Sequence, residues 1–95
     1  MKLRPVLLLT DPIGPVPEIL VAYISCVFPP TLLASDLVLD PNIPDHVVTR
    51  LKTTSVVRLH KLATIHGRNV VRRVGQVSPT IWGEVATRLR TLLAL

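Results

Sequence analysis

Arg58 and His60 stand two residues apart in the run Ser55-Val56-Val57-Arg58-Leu59-His60-Lys61-Leu62. On a strand, side chains at i and i+2 share a face, with α-carbons about 6.5–7 Å apart. A phosphodiester fits between two such groups. An imidazole, which titrates near pH ~6.5 in solution, can take the proton from a ribose 2′-hydroxyl. A guanidinium can hold the crowded phosphate by a bidentate contact, or protonate the leaving oxygen if strongly perturbed. The product would be a 2′,3′-cyclic phosphate, formed without a metal. The competing expectation is an exposed polar face on a half-buried strand.

The other candidates are weaker. His66 precedes Gly67, where turn solvation is expected, and His46 sits in an ambiguous stretch. No H-x-H, H-E-x-x-H or C-x-x-C spacing is present, so neither a metal site nor a cofactor is expected. No glycine-rich phosphate loop is present either, so nucleotide binding has no support. Asp36, Asp40 and Asp45 flank turns and are expected to form them, not to act as a catalytic carboxylate pair. Lys61, Arg68, Arg72 and Arg73 form a basic set that could contact nucleic-acid phosphates, with binding that weakens in salt. The only aromatics are Tyr23, Phe28 and Trp82. Stacking platforms for bases are therefore scarce, and sequence-specific reading of RNA has weak support.

The charge is split along the chain. Residues 1–49 hold two basic side chains against five acidic ones, whereas residues 50–95 hold nine basic ones against Glu84 alone. A basic half favours a polyanion or an acidic protein partner, although a solvated basic surface has the same composition. The 95 residues suit one domain, 1–95, with an aliphatic core, and at this size dimerisation adds needed stability. The lone Cys26 excludes an internal disulfide framework, and its apolar neighbours Val27 and Phe28 predict a buried thiol. The apolar runs are too short to span a bilayer, which takes about 20 residues, and Asp11-Pro12 ends the first before a signal-peptide core could form. A cytoplasmic protein without membrane contact is expected.

The elements that must position Arg58 and His60 follow from pattern. Val6–Leu9 reads as a short strand buried on both faces. Residues 11–17, with three prolines and a glycine, form a loop. Glu18–Val27 and Asp36–Asp40 read as strands, separated by Pro29-Pro30. Pro41–Asp45 is turn-rich, and His46–Thr53 holds a helical turn or irregular chain. Ser55–Ile65 is a long strand, with Val57 and Leu59 on one face and Val56, Arg58, His60 and Leu62 on the other. After a turn at Gly67-Arg68-Asn69, Val70–Val77 reads as a further strand, where Gly75 marks a bulge or a close backbone approach. Ser78 is the N-cap of a C-terminal helix with Pro79 at its first position. Ile81, Val85, Leu89 and Leu92, joined by Trp82, Ala86 and Leu93, form its apolar stripe, expected as core or dimer seam. About five short strands and one helix predict a mainly β protein with α, a small SH3-like β-barrel with a C-terminal helix.

Four segments, in order, resemble the MazF/PemK/Kid family of toxin ribonucleases. Arg4-Pro5-Val6-Leu7-Leu8-Leu9-Thr10 is similar to the family's R-P-x-x-V-L-S segment. Val21-Ala22-Tyr23-Ile24-Ser25 is similar to the strand that ends in a threonine near the scissile phosphate. The run around Arg58 resembles the strand that carries an arginine acid and an aspartate base two residues apart. Here Arg58 matches and His60 replaces the aspartate. Val74-Gly75-Gln76-Val77-Ser78-Pro79 resembles the G-x-[LV]-S stretch before the last helix. The resemblance runs from about Lys2 to Leu95. The family's usual first strand and glycine-rich loop are expected to be missing before Arg4, with Met1 as a start to be tested.

The resemblance implies a toxin of a type II toxin–antitoxin pair, a metal-independent endoribonuclease for single-stranded RNA. It implies catalytic or substrate-binding roles for Arg4, Ser25, Arg58 and His60, a cognate antitoxin and a homodimer. Two other expectations stay open. One is a non-catalytic toxin-like module that binds an antitoxin or nucleic acid. The other is a related barrel of the CcdB type, a gyrase poison, since a fold does not fix a function.

Overall fold

The computed structural model describes residues 4–95. The expectations attached to Met1 and Lys2 lie outside the described residues. Four strands, β1 (Val6–Leu8), β2 (Glu18–Ser25), β3 (Asp36–Leu39) and β4 (Ser55–His66), form one antiparallel sheet in the order β1-β2-β4-β3. Two 3-10 helices, Pro44–Thr49 and Gly67–Asn69, flank β4, and helix α1 spans Pro79–Leu93. The sheet curls into a half-barrel backed by α1. None of the described helices is long and apolar enough to cross a membrane.

The face of the sheet toward α1 carries the main core cluster, while Ile19, Val21 and Val56 are buried outside it. Ala22, Leu37, Leu39, Val57 and Leu59 pack with Ile81 and Val85 of α1, and Leu7, Ile24, Leu62 and Leu89 close around them. Burying each of the leucine, isoleucine and valine side chains at the cluster's centre contributes about 1.5–3 kcal/mol. The helix starts as its sequence predicts. The Ser78 hydroxyl accepts the Ile81 N–H at 3.1 Å and donates to Asp45 at 2.5 Å, which ties α1 to the first 3-10 helix. Of the apolar stripe, Ile81 and Val85 are buried, whereas Trp82, Leu92 and Leu93 stay exposed.

A bulge in β4 corrects the expected alternation. Tyr23 pairs with Arg58, yet its neighbour Ala22 pairs with Leu62. Leu59, His60 and Lys61 therefore lie between two rungs that are consecutive on β2. Three extra residues reverse the alternation, so Leu62 joins Val57 and Leu59 on the core side and not His60 on the other.

Three further expectations change. No strand covers Val70–Val77, so the sheet has four strands. Val70, Val71 and Val74 are exposed, and the segment is tied instead to the first 3-10 helix by the Gln76 N–H donating to the Val48 carbonyl at 3.0 Å. Gly75 makes the close backbone approach, because a β-carbon there would fall on the Thr49 carbonyl. Strand β1 is an edge strand and only partly buried, since it has one neighbour. Cys26 is exposed: β2 ends at Ser25, whose hydroxyl accepts the Val27 N–H at 3.1 Å in a tight turn that carries Cys26 outward.

Candidate active site

Strand pairing sets Val6, Tyr23, Arg58 and Asp36 in one row across all four strands. Residues paired in register project to the same face, here the face opposite α1. Ser25 lies two positions beyond Tyr23 on that face and pairs with Val56. The sheet thus gathers residues that are far apart in sequence.

Asp36 opens β3, and its side chain is fully buried. Its carboxylate accepts two hydrogen bonds. One oxygen takes the Leu33 N–H at 2.9 Å and closes the turn before β3. The other takes Arg58 Nε at 2.6 Å. A buried carboxylate needs such partners, and an ionised donor makes the stronger bond. Arg58 is thereby held by its Nε edge, and its 16% exposed side chain presents the outer nitrogens toward His60 and solvent.

His60 sits in the bulge with its side chain 28% exposed. Its Nε2 lies 3.4 Å from Arg58 Nη2, and its Nδ1 lies 3.4 Å from Ser35 Oγ and 3.8 Å from Asp36 Oδ1. Arginine only donates, so Nε2 is the accepting nitrogen, and this network assigns the ring proton to Nδ1. The basic lone pair of the imidazole, on Nε2, thus faces the guanidinium. Ser35 is itself held. Its carbonyl accepts the Leu59 N–H at 3.4 Å, and the adjacent Ala34 carbonyl accepts Arg88 Nη1 at 2.7 Å. Helix α1 therefore fixes the segment against which His60 rests.

The remaining candidates divide. Arg4 is exposed just before β1, and the Ile24 N–H donating to the Pro5 carbonyl at 3.3 Å sets Arg4 opposite Ser25 in the extended ladder. The Ser25 hydroxyl is bonded locally, to the Val27 N–H and carbonyl. Lys61 is exposed in the bulge beside His60. Arg68 lies beyond the far end of β4, in the second 3-10 helix, and Arg72 and Arg73 follow in the irregular segment, all exposed. Arg73 bonds the Gly75 carbonyl and Gln76. These three are not brought to the Arg58–His60 pair along β4.

His46 and His66 are structural. Nδ1 of His46 accepts the Asp40 N–H at 3.0 Å, and Nδ1 of His66 accepts the Arg68 N–H at 3.1 Å. No group of three or more His, Cys, Asp or Glu side chains among the described residues is placed to hold a metal ion. Asp36 and Ser35 are the residues that sequence spacing misses. Asp36 does close its turn, but it also holds the arginine, and only the register of β3 on β4 reveals this.

The fold and the site together define a helix-backed half-barrel with a guanidinium and an imidazole 3.4 Å apart on the face away from the helix. The chain belongs to the PemK-like, MazF-like toxins of type II toxin–antitoxin systems, whose family model matches residues 1–93. Two solved structures are similar over nearly the whole chain. The Mycobacterium tuberculosis toxin MazF-mt6 is 25% identical with a TM-score of 0.75, over 97% of this chain and 87% of that one. A further structure, of an Mtb toxin, is 25% identical with a TM-score of 0.72, over 93% and 90%. An endoribonuclease from a mycobacterial species shares the fold at 17% identity and a TM-score of 0.62, over 82% of this chain and 65% of that one. Among the curated proteins no sequence matches the chain at a significant level.

Proposed function

We propose that this toxin is an endoribonuclease that cuts single-stranded RNA at a phosphodiester lying against Arg58 and His60. The observation that carries the reading is the 3.4 Å approach of Arg58 Nη2 to the accepting Nε2 of His60, with Arg58 fixed from behind by buried Asp36. In this reading His60 Nε2 takes the 2′-hydroxyl proton. The 2′-oxygen attacks phosphorus, the bond to the 5′-oxygen breaks, and that oxygen takes a proton from water. Arg58 offers its outer N–H groups to the negative charge that grows on the phosphoryl oxygens. A guanidinium clamped to a carboxylate serves as a charge and a donor, so it is given this role and not that of the acid. Base and charge both come from side chains, and the reaction asks for no metal. Arg4 and Ser25 border the same face and contact the substrate strand, and Lys61 does so from beside His60. Membership of a toxin–antitoxin family supplies the partner class, a cognate antitoxin. The reading also includes a homodimer acting in the cytoplasm.

The test is to incubate the purified chain with long single-stranded RNA in EDTA and to identify the fragment ends. Fragments ending in 2′,3′-cyclic phosphate are expected. Arg58→Ala should fold and lose about 100- to 1000-fold in cleavage rate, the usual effect of removing one preorganised donor. Intact RNA with the unaltered chain, or full activity in Arg58→Ala, would overturn the reading in favour of a binding-only module.

A further inference from the structure

Tyr23 sits beside the proposed cleavage site and takes no part in the chemistry. It pairs directly with Arg58 across β2 and β4. Its side chain therefore shares the face of Arg58, one strand spacing of about 4.8 Å away. Two positions earlier on the same face, Val21 is fully buried, yet Tyr23 is 41% exposed. The opening in the surface is thus local, and it lies at the row that carries Arg58. A nucleobase hangs one ribose away from its phosphate, a distance comparable with the spacing of neighbouring strands. A phosphate against Arg58 and His60 would bring a flanking base over the adjoining strand, where the phenol ring stands.

Resting on the ribonuclease reading, we propose that Tyr23 is a stacking platform for a nucleobase that flanks the scissile phosphate. Every base has a π-face, so stacking adds affinity without dictating which base is taken. It also fixes the ribose relative to His60, because the base, sugar and phosphate are covalently joined. Phe28, in the loop just after β2, is likewise 41% exposed, but no strand pairing brings it to Arg58.

The test compares binding of two short single strands: an uncleavable 2′-fluoro RNA, and the same backbone with its bases replaced by hydrogen. The chain should bind the base-bearing strand about 5- to 100-fold more tightly than the abasic one through this platform. Tyr23→Phe should keep that ratio. Tyr23→Ala and Tyr23→Leu should lose most of it while binding the abasic strand as before. If Tyr23→Leu keeps the ratio, Tyr23 merely packs against Arg58, and the proposal falls. If Tyr23→Ala keeps it, the base is held elsewhere, and the proposal also falls. Both results leave the ribonuclease reading standing. A parent chain that neither binds nor cuts RNA would overturn that reading and this inference with it.

Discussion

Arg58 is set in place by a residue 22 positions earlier in the chain. The Asp36 carboxylate grips one edge of the guanidinium and leaves the other edge for a substrate. Asp36→Asn keeps the shape and an oxygen to accept the Leu33 N–H, but it removes the charge that fixes Arg58. Misplacing a catalytic group by about 1 Å can cost on the order of 100-fold. Asp36→Asn is therefore expected to lower kcat by about 10- to 100-fold, with KM little changed and the fold intact by circular dichroism. Asp36→Glu should fail similarly, because the longer arm moves the guanidinium. Unchanged kcat in both variants would show that Arg58 needs no such support. The Arg58–His60 pair is legible in the sequence because i and i+2 on a strand share a face. Asp36 is not, because its role depends on which residue of β4 it faces. Local composition shows only a carboxylate beside a turn.

At the scale of elements, the sequence makes the helix and its cap plain, since Ser78-Pro79 and the apolar stripe are local signals. Strands β2, β3 and β4 are also legible from their β-branched runs and the prolines between them. The bulge at Leu59–Lys61 is not, because it arises from pairing with β2 and leaves no mark on β4 alone. The segment Val70–Val77 misleads for a related reason. Its valines have strand propensity, but pairing and burial decide the outcome, and here the backbone bonds to Val48 instead. Gly75 is the price of that arrangement. A β-carbon there would strike the Thr49 carbonyl group and come within 2.6 Å of the Val48 oxygen, all of it backbone that cannot swing aside. Gly75→Ala is expected to cost about 1–3 kcal/mol, the usual range for overpacking. In a chain of this size that lowers Tm by roughly 5–20 °C. Thermal unfolding measures it directly, and an unchanged Tm would show that residues 70–78 shift freely away from the 3-10 helix.

At the scale of the whole molecule, charge and site are arranged unequally. The Arg58–His60 pair lies where β4 is paired on both sides, with β2 and β3, whereas Arg68, Arg72 and Arg73 follow the other end of β4. Tyr23 pairs with Arg58 and Glu18 with His66, so the ends of the stretch from Arg58 to His66 stand five steps apart on β2, about 16 Å at about 3.3 Å per residue, a few nucleotides of extended RNA. If RNA runs along this path, the distal arginines would hold it away from the cut, through phosphates alone. Each phosphate neutralised on a single strand adds about 0.7 to the slope of log affinity against log salt. Replacing Arg68, Arg72 and Arg73 together by alanine should make that slope shallower by about 2 and raise KM at moderate salt. Arg58→Ala should change the slope by no more than one such contact, while it removes cleavage. The measurement is RNA binding across a salt series for the parent chain and both variants. An unaltered slope in the triple variant would mean that the basic half is a solvated surface, and that the RNA is held by the row of residues around Arg58 alone.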